Sequence, residues 1–417
     1  MTRKEPIQIR RAERADLRPL ALLWTQAFPG ERTVEDRVRQ LESGVPYGGL
    51  EVAWVAEERG RLLGAYRAYR MTEYVAGVPL PMLGLASVAT SAAARRRGVG
   101  RALCRHALRQ GRERGDVLSV LYPFRPSFYR AFGWELVGEL EAYRFRPGAL
   151  PDYEEAAAVR FAEPADRDAI AACYARVAGR STGPLERDAR VWAHHLDAAG
   201  IHAVVHDDGG RIGGYALVRF GRPRAPGAAT LHVRELIAED DEAYRALLGW
   251  IAAQRDQFSE VRYDARPDER LEFRLTDPRP PAPARARRLW FPTARRIRGP
   301  MLRVLNVPAA LAARPRWGES PGFGLTLEVE VLDDELPENR GPWHVSIEEE
   351  GARVHDRRAG GADARLVVGP ATFAQIYAGE LPPSVAARLG LAPIEGAADA
   401  LDRAFHLPSR FWLLDEF

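Results

Sequence analysis

The sequence predicts a mixed α/β fold of the α+β kind, divided into three domains at 1–150, 151–290 and 291–417. Three observations predict it. Leu83 to Thr90 is a small, apolar, β-branched run that leads through a turn with three arginines and two glycines into apolar positions at helical spacing, Ala102, Leu103, Ala107 and Leu108. The strand and helix order of the first 150 residues is echoed from Val159 onward. A third set of strands and short helices follows a proline-rich boundary at Thr276 to Pro283. A length of 417 residues suits two to three domains.

Composition bounds the function. Hydrophobic residues make up 46% and charged residues 28%, ordinary for a globular protein. Sixty basic residues oppose 57 acidic ones for a net charge of +3, which argues against nucleic acid as the main partner. Two cysteines, Cys104 and Cys173, define no disulfide framework, and Cys104 reads as a small core residue on the helix after the turn. No run approaches about 18 apolar residues, so no membrane span is expected. The first residues lack the apolar core of a signal peptide, and the expected location is cytoplasmic.

Taken in order, Ile7 and Ile9 open a short strand. Ala15 to Phe28 reads as a helix with Leu17, Leu20, Leu23, Trp24 and Phe28 in or near one stripe. Val34 to Leu41 reads as a second helix. Glu51 to Glu57 and Leu62 to Tyr69 form a hairpin about Arg59-Gly60, and Tyr74 to Leu80 leads into the strand at Leu83 to Thr90. Val117 to Tyr122 is a strand, followed by the aromatic segment 123–134 and a closing strand near Glu141 to Phe145. In the second domain, Asp166 to Ala178 and Asp241 to Ala253 read as helices, and Ile201 to His206, Gly213 to Phe220 and Leu231 to Ala238 as strands. In the third, Ile297 to Val307 reads as a strand with its approach, and Leu325 to Val331, Gly341 to Ile347 and Ala364 to Val368 as strands; Pro370 to Gly379, Pro383 to Leu389 and Ala397 to Phe405 are helical.

The turn after Thr90 carries the chemistry. The first N–H groups of a helix lack intrahelical partners, and the macrodipole is positive there. Gly98 and Gly100 let a ligand approach the backbone closely, making a nest of donors suited to a pyrophosphate. Arg95, Arg96, Arg97 and Arg101 surround it with positive charge. The Walker pattern GxxxxGK[ST] and the dinucleotide pattern GxGxxG are both absent. Histidines cluster at 194, 195, 202, 206 and 232, but four residues along a strand span about 13 Å, so His202 and His206 cannot share an ion and no metal is expected.

The pattern Arg95-x-x-Gly98-x-Gly100 resembles the R/Q-x-x-G-x-G/A loop of the Gcn5-related N-acetyltransferases, the GNAT superfamily, whose loop holds the pyrophosphate of acetyl-coenzyme A. The run Tyr129-x-x-x-Gly133-Trp134 resembles a second signature of that superfamily. The second domain resembles a degenerate GNAT copy. Its junction, Ile237 to Asp241, carries acids where the first copy carries arginine and glycine, so a phosphate there would be repelled. The third domain resembles the sterol-carrier-protein fold. Two tandem GNAT folds followed by a sterol-carrier-protein-like α+β domain resemble the enhanced intracellular survival (Eis) family of acetyltransferases.

The resemblance implies acetyl-CoA as co-substrate, with no metal. It places coenzyme contacts at Val88, Ala89 and Thr90, along the loop Arg95, Arg96, Arg97, Gly98, Val99, Gly100 and Arg101, and at Phe124 and Arg125. The last two lack the small residues and acid that the family can show there, which leaves a backbone contact or none. Tyr129 matches the family's general acid. Leu83 to Thr90 contains no acid or histidine to act as base; the family's base is the terminal carboxylate, which falls on Phe417. The apolar tail at Phe411, Trp412, Leu413, Leu414 and Phe417 has the surface to dock. Asp415 and Glu416 could attract a cationic acceptor, and Trp24 and Phe28 could wall its pocket. The acceptors implied are primary amines, aminoglycoside-like or lysine-like, on a small molecule or peptide; the assembly implied is a homohexamer, with no nucleic acid or membrane partner. Two other classes of function remain: an acyl-CoA or lipid carrier, disfavoured by a polar and fairly short third domain, and a multimeric scaffold with vestigial activity, against which the intact loop and Tyr129 speak.

Overall fold

The computed structural model describes residues 7–44, 46–223, 229–279, 290–314, 324–348, 351–355 and 361–417. The end of the predicted proline-rich boundary, 280–283, lies outside the described residues. Two compact units divide the chain. The first comprises 1–137, 299–408 and 415–417, and the second 138–298 and 409–414.

In the first unit, β1 (Gln8–Arg11) is followed by α1 (Leu17–Ala27) and α2 (Val34–Ser43), then by β2 (Ala53–Glu58), β3 (Arg61–Val75) and β4 (Val78–Thr90). Next come α3 (Val99–Arg114), β5 (Leu118–Leu121), the short α4 (Pro126–Arg130) and β6 (Glu135–Leu136). A capping box between Thr33 and Asp36 starts α2, and Gly44 in the left-handed region ends it. The two faces of the sheet follow the alternation of the strands. Val55, Ala65 and Ala89 pack with Leu20, Leu23 and Trp24 of α1. Ala56, Tyr66 and Leu85 pack with Leu103, Cys104, Ala107 and Leu108 of α3.

This sheet has seven strands, β1-β2-β3-β4-β5-(Met301–Val304)-β6. Its sixth member comes from far along the chain: Met301–Val304 pairs antiparallel with both β5 and β6. Sequence reading assigns Glu141 to Phe145 as the closing strand of the first sheet. The structure corrects this: Leu140–Phe145 lies in the second unit, between Arg295–Ile297 and Glu260–Ala265. Likewise, the strand expected with its approach over Ile297 to Val307 is Met301–Val304 of the first sheet, while Ile297 ends the strand Arg295–Ile297 and Val307 starts the helix Val307–Ala313.

The second unit's sheet continues through Thr230–Ala238, Arg211–Phe220, Ile201–Asp208 and Val159–Phe161. Its helices are Arg167–Ala178, Ala189–Leu196 and Asp241–Ala252. The remaining part of the first unit is a five-stranded sheet in the order Gly351–His355, Trp343–Glu348, Leu325–Val331, Ala364–Val368 and Ile394–Gly396. Pro370–Tyr377, Pro383–Arg388 and Ala398–Phe405 supply its helices.

Within the first unit, Arg303 joins this last sheet to the seven-stranded one. It is fully buried, pairs with Asp333, and donates from Nε to the Phe132 carbonyl at 3.0 Å. Asp333 also accepts from the backbone N–H groups of Glu335 and Leu336. A buried guanidinium needs such a fully bonded setting, and here it fixes the turn that follows α4.

Candidate active site

The centre of the site is where β4 leaves its neighbour. The parallel ladder between β4 and β5 extends only over Met82–Gly84 and Leu118–Val120. Residues 85–90 continue without a ladder partner on that side among the described residues, which leaves backbone donors and acceptors available to an extended, amide-bearing ligand. On the other side, β3 pairs Ala65 with Ala89 and Arg67 with Ala86, so Ser87 and Val88 together oppose Tyr66 in a bulge. Ser87 takes φ = +53°, unusual for a non-glycine residue, and its carbonyl accepts from Trp24 Nε1 at 2.8 Å. The bulge re-aims the strand, and Trp24 holds it in that shape.

The turn after β4 ends at Gly98, the N-cap of α3, with φ = +86° and no side-chain cap. A Cβ built on Gly98 would meet nothing within 4 Å, so the free N–H groups of the helix start open onto unobstructed space. This is the cradle a pyrophosphate needs. Gly100 lies closer to its surroundings, its would-be Cβ 3.3 Å from Phe128 and 3.6 Å from Thr90 Oγ1. Val99 is buried beneath the loop, while Arg95, Arg96 and Arg101 are exposed around it. Arg97 is committed elsewhere, to Glu58 at 2.7 Å.

The corresponding junction of the second unit is built differently. Asp240 is the N-cap of Asp241–Ala252 and its carboxylate accepts from Ala243 N–H at 2.9 Å. Glu239 pairs with Arg176 and Arg211. A carboxylate occupies the position an anion would take.

In the first unit a cavity of about 570 Å³ brings several predicted residues together: Phe28, Val88, Phe124, Tyr129 and Phe417 all line it. Tyr129 is buried, at the edge of an aromatic cluster with Phe124, Phe128 and Trp134. Burial raises its phenol well above the usual value, so the hydroxyl keeps its proton throughout the neutral range. The Phe417 ring is held edge-on by Tyr122, Tyr47 and Tyr69, with centroids 5.6, 6.1 and 6.2 Å away. Two residues back, the Asp415 carbonyl accepts from the Tyr122 hydroxyl at 2.7 Å, and its carboxylate accepts from Tyr47 at 3.3 Å. The preceding segment is held within the second unit: Trp412 N–H donates to the Thr182 carbonyl at 3.1 Å, and Arg410 pairs with Glu139 at 2.8 Å.

Other predicted residues stand apart from the cavity. Trp24 is 1% exposed and lies behind the wall, supporting Ser87 instead of facing an acceptor. Asp415 is turned into the tyrosines, and Glu416 is exposed without lining the cavity. Arg125 is exposed at the start of α4 and does not line the cavity, unlike its neighbour Phe124. Sequence reading missed Ser87, the three tyrosines around Phe417, and Arg32 and Arg37, which also line the cavity. The bulge at Ser87 has no local signal in an otherwise regular strand, and the tyrosines come from three separate segments.

Comparison with known proteins identifies the domains of the chain. Models described as acetyltransferase (GNAT) domain match residues 8–137 and 183–304, and a sterol carrier protein domain matches 307–414. The chain is 31% identical over 317 residues to an uncharacterized N-acetyltransferase of Streptomyces coelicolor, covering 72% of each. It is 30% identical over 269 residues to the N-acetyltransferase Eis of Mycobacterium tuberculosis, covering 60% of this chain and 62% of Eis. Among solved structures, a GCN5-related N-acetyltransferase from Anabaena variabilis superposes with a TM-score of 0.82 at 22% identity, over 99% of this chain and 100% of that one. Eis1 from Mycobacterium abscessus does so with 0.76 at 24%, again over 99% and 100%. At these identities the structures speak to the fold alone. The domain series defines a GNAT acetyltransferase, and GNAT domains use acetyl-CoA as co-substrate. The chain belongs to the N-acetyltransferases of the Eis-like kind, with two GNAT domains followed by a sterol carrier protein domain.

Proposed function

We propose that the protein transfers the acetyl group of acetyl-CoA to a primary amine in the cavity of the first unit. The observation that carries this reading is the shared lining of that cavity by Val88, Tyr129 and Phe417, beside the unpaired edge of β4. The coenzyme's pyrophosphate rests on the N–H groups after Gly98, with Arg95, Arg96 and Arg101 near its phosphates. Its pantetheine amides pair with the backbone of residues 88–90. The second GNAT domain binds no coenzyme, because Asp240 fills its helix cap.

An amine is protonated in water near neutral pH and cannot attack until it gives up that proton. The carboxylate at the end of Phe417 takes it, directly or through one water. The nitrogen then attacks the thioester carbonyl carbon, the C–S bond breaks, the departing sulfur receives the Tyr129 proton, and the second proton shed by the newly acylated nitrogen passes through water to restore the Tyr129 phenol. Burial weakens the phenol as an acid, but it disfavours a thiolate in the same sense, so the two effects offset each other in the proton transfer from Tyr129 to sulfur. The Cys104 thiol, buried in the same domain, is pushed up to about 12 by burial. The assembly is a homohexamer and its setting cytoplasmic in this reading, which light scattering and fractionation would check.

The test is release of free coenzyme A thiol from acetyl-CoA in the presence of a panel of primary amines. Amine-dependent release, with an acetylated product by mass spectrometry, supports the reading. Acetyl-CoA binding without transfer to any amine would favour a carrier or scaffold.

A further inference from the structure

The acceptor end of the cavity has a charge that a polycation would not choose. One wall is formed by Phe28, Pro29, Gly30, Glu31, Arg32 and Arg37, between α1 and α2. Among the described residues neither Arg32 nor Arg37 has a carboxylate within ion-pair distance. Arginines on the flanking helices are paired, Arg18 of α1 with Glu35 and Arg39 of α2 with Asp36. Arg37 donates one bond, from Nη2 to the Phe28 carbonyl at 2.9 Å, while its buried Nε has no partner. Behind it lies Arg67, 4% exposed, stacked 4.5 Å over the Trp24 ring and donating to Tyr69; its Nε also lacks a partner. The three guanidinium groups act on one another: burial, then Arg32 and Arg67, lower the Arg37 guanidinium from its usual value.

The acidic groups do not cancel this charge. Glu31 and Arg32 line the cavity side by side and are both exposed, so Glu31 offsets Arg32 at the rim, while Arg37, half-buried with no carboxylate at ion-pair distance among the described residues, is the inner charge. The Asp415 carboxylate is engaged by Tyr47. The carboxylate of Phe417 belongs, in the reading above, to the reacting amine.

We propose that the acceptor is a compact amine that also carries an anionic group, a carboxylate or a phosphate, read by Arg37 and Arg32. This inference rests on the acetyl-transfer reading and adds the substrate class to it. The site then has two poles. Tyr129 and the chain end serve the amine, and the arginine wall serves the anion. A guanidinium with free donors is the side chain best shaped for an oxyanion, which it can engage with two parallel hydrogen bonds. The body between the poles meets Phe28, Phe124 and Tyr122 and is apolar.

The experiment uses the full-length enzyme at saturating acetyl-CoA with amines matched in pairs: free lysine against cadaverine, free phenylalanine against phenethylamine, and O-phosphoethanolamine against ethanolamine, with spermidine as a polycation. The anion-bearing member of at least one pair should be preferred by ~10-fold or more in kcat/KM, mainly through KM. The carboxylate and phosphate pairs tell the two anions apart. Arg37→Gln and Arg32→Gln should bring the preference toward unity, and Arg37→Lys should retain part of it. Calorimetric acetyl-CoA affinity reports that each variant is folded. Turnover of cadaverine, phenethylamine or spermidine equal to or better than that of every anionic partner overturns the inference and leaves acetyl transfer standing. A preference that survives both glutamine variants also overturns it. Coenzyme binding with no transfer to any amine overturns the acetyl-transfer reading and this inference with it.

Discussion

Extending the chain by two glycines after Phe417 replaces the terminal carboxylate with a neutral amide and leaves every side chain in place. If that carboxylate is the base, the loss should be the full contribution of a positioned base, ~10²- to 10⁴-fold in kcat. Deleting Phe417 instead moves the carboxylate back to Glu416, about 3.5 Å along the chain. A displacement of about 1 Å can already cost ~10²-fold, so deletion should approach the extension in severity. Phe417→Ala keeps the carboxylate and removes the ring from Tyr122, Tyr47 and Tyr69. Each aromatic pair contributes about 0.5–1.5 kcal/mol. The Tyr122 and Tyr47 bonds to Asp415 still hold the tail two residues upstream. A loss of roughly 10-fold is therefore expected, corresponding to about 1.4 kcal/mol in the population of correctly placed tails. The assay compares initial rates of the three variants at saturating acetyl-CoA and acceptor, with coenzyme affinity measured separately and expected to stay near native. An extended chain that turns over at the native rate refutes the assignment and reduces the tail to a packing element.

Gly98→Asp should abolish measurable acetyl-CoA binding, because it sets a carboxylate in the cradle; Gly98→Ala shares the left-handed strain, of order 1–2 kcal/mol, without the charge and should bind with modest loss by calorimetry. Tyr129→Phe should slow transfer by ~10²-fold with little change in coenzyme affinity. Since burial raises the Tyr129 phenol, native kcat should show no alkaline fall from loss of that proton up to at least about pH 9, and such a fall would assign the acid elsewhere. Glu73 on β3 is fully buried, with neither carboxyl oxygen bonded, and burial raises it well above the usual carboxylate range. Because its folded-state value lies above the unfolded one, it weakens the fold at pH above the unfolded value, and less so as pH falls toward it. Glu73→Met should raise stability at pH 7 by about 1–3 kcal/mol in denaturant titration, and a destabilised variant would show that the carboxyl has a partner in solution.

What could be read from the chain depended on whether a residue's role is set locally. The strand, turn and helix at 83–108 were legible because hydrophobic period, glycine placement and the needs of a helix start all act within one short stretch. Tyr129 and Phe417 were singled out only through resemblance, since an aromatic residue among aromatics carries no local sign of chemistry; what the structure adds is that both line one cavity. Strand partnership was not legible. Leu140–Phe145 and Met301–Val304 are each recognisable as strands, yet nothing in a four- or six-residue run says which sheet receives it. That choice follows from long-range contacts, here from Arg303 reaching Phe132 and Asp333 at once.

The arginine wall shows the same limit for function. With acids and bases nearly equal in number and the bases almost all arginine, an unpaired guanidinium is invisible in the sequence, because pairing is decided by which carboxylates the fold brings near. Arg18 and Arg39 find acids at Glu35 and Asp36, while Arg37, two residues from Arg39, turns to the Phe28 carbonyl and the cavity. Sequence reading looked for acceptor charge in Asp415 and Glu416 because they adjoin the proposed base. Being adjacent in the chain put one of them against Tyr47 and Tyr122 and the other in solvent. The charge that meets the acceptor comes instead from a loop and helix nearly 400 positions earlier. An acceptor selected by that wall is one whose amine and anion are separated enough to reach both poles at once, so among carboxylated amines free lysine acetylated at its ε-nitrogen should outperform an α-amine, whose charges lie side by side. Peptide-level identification of the acetylated nitrogen is not needed; the two monoacetyl-lysines separate by chromatography, and an excess of the α-product would place the two poles closer together than this account requires.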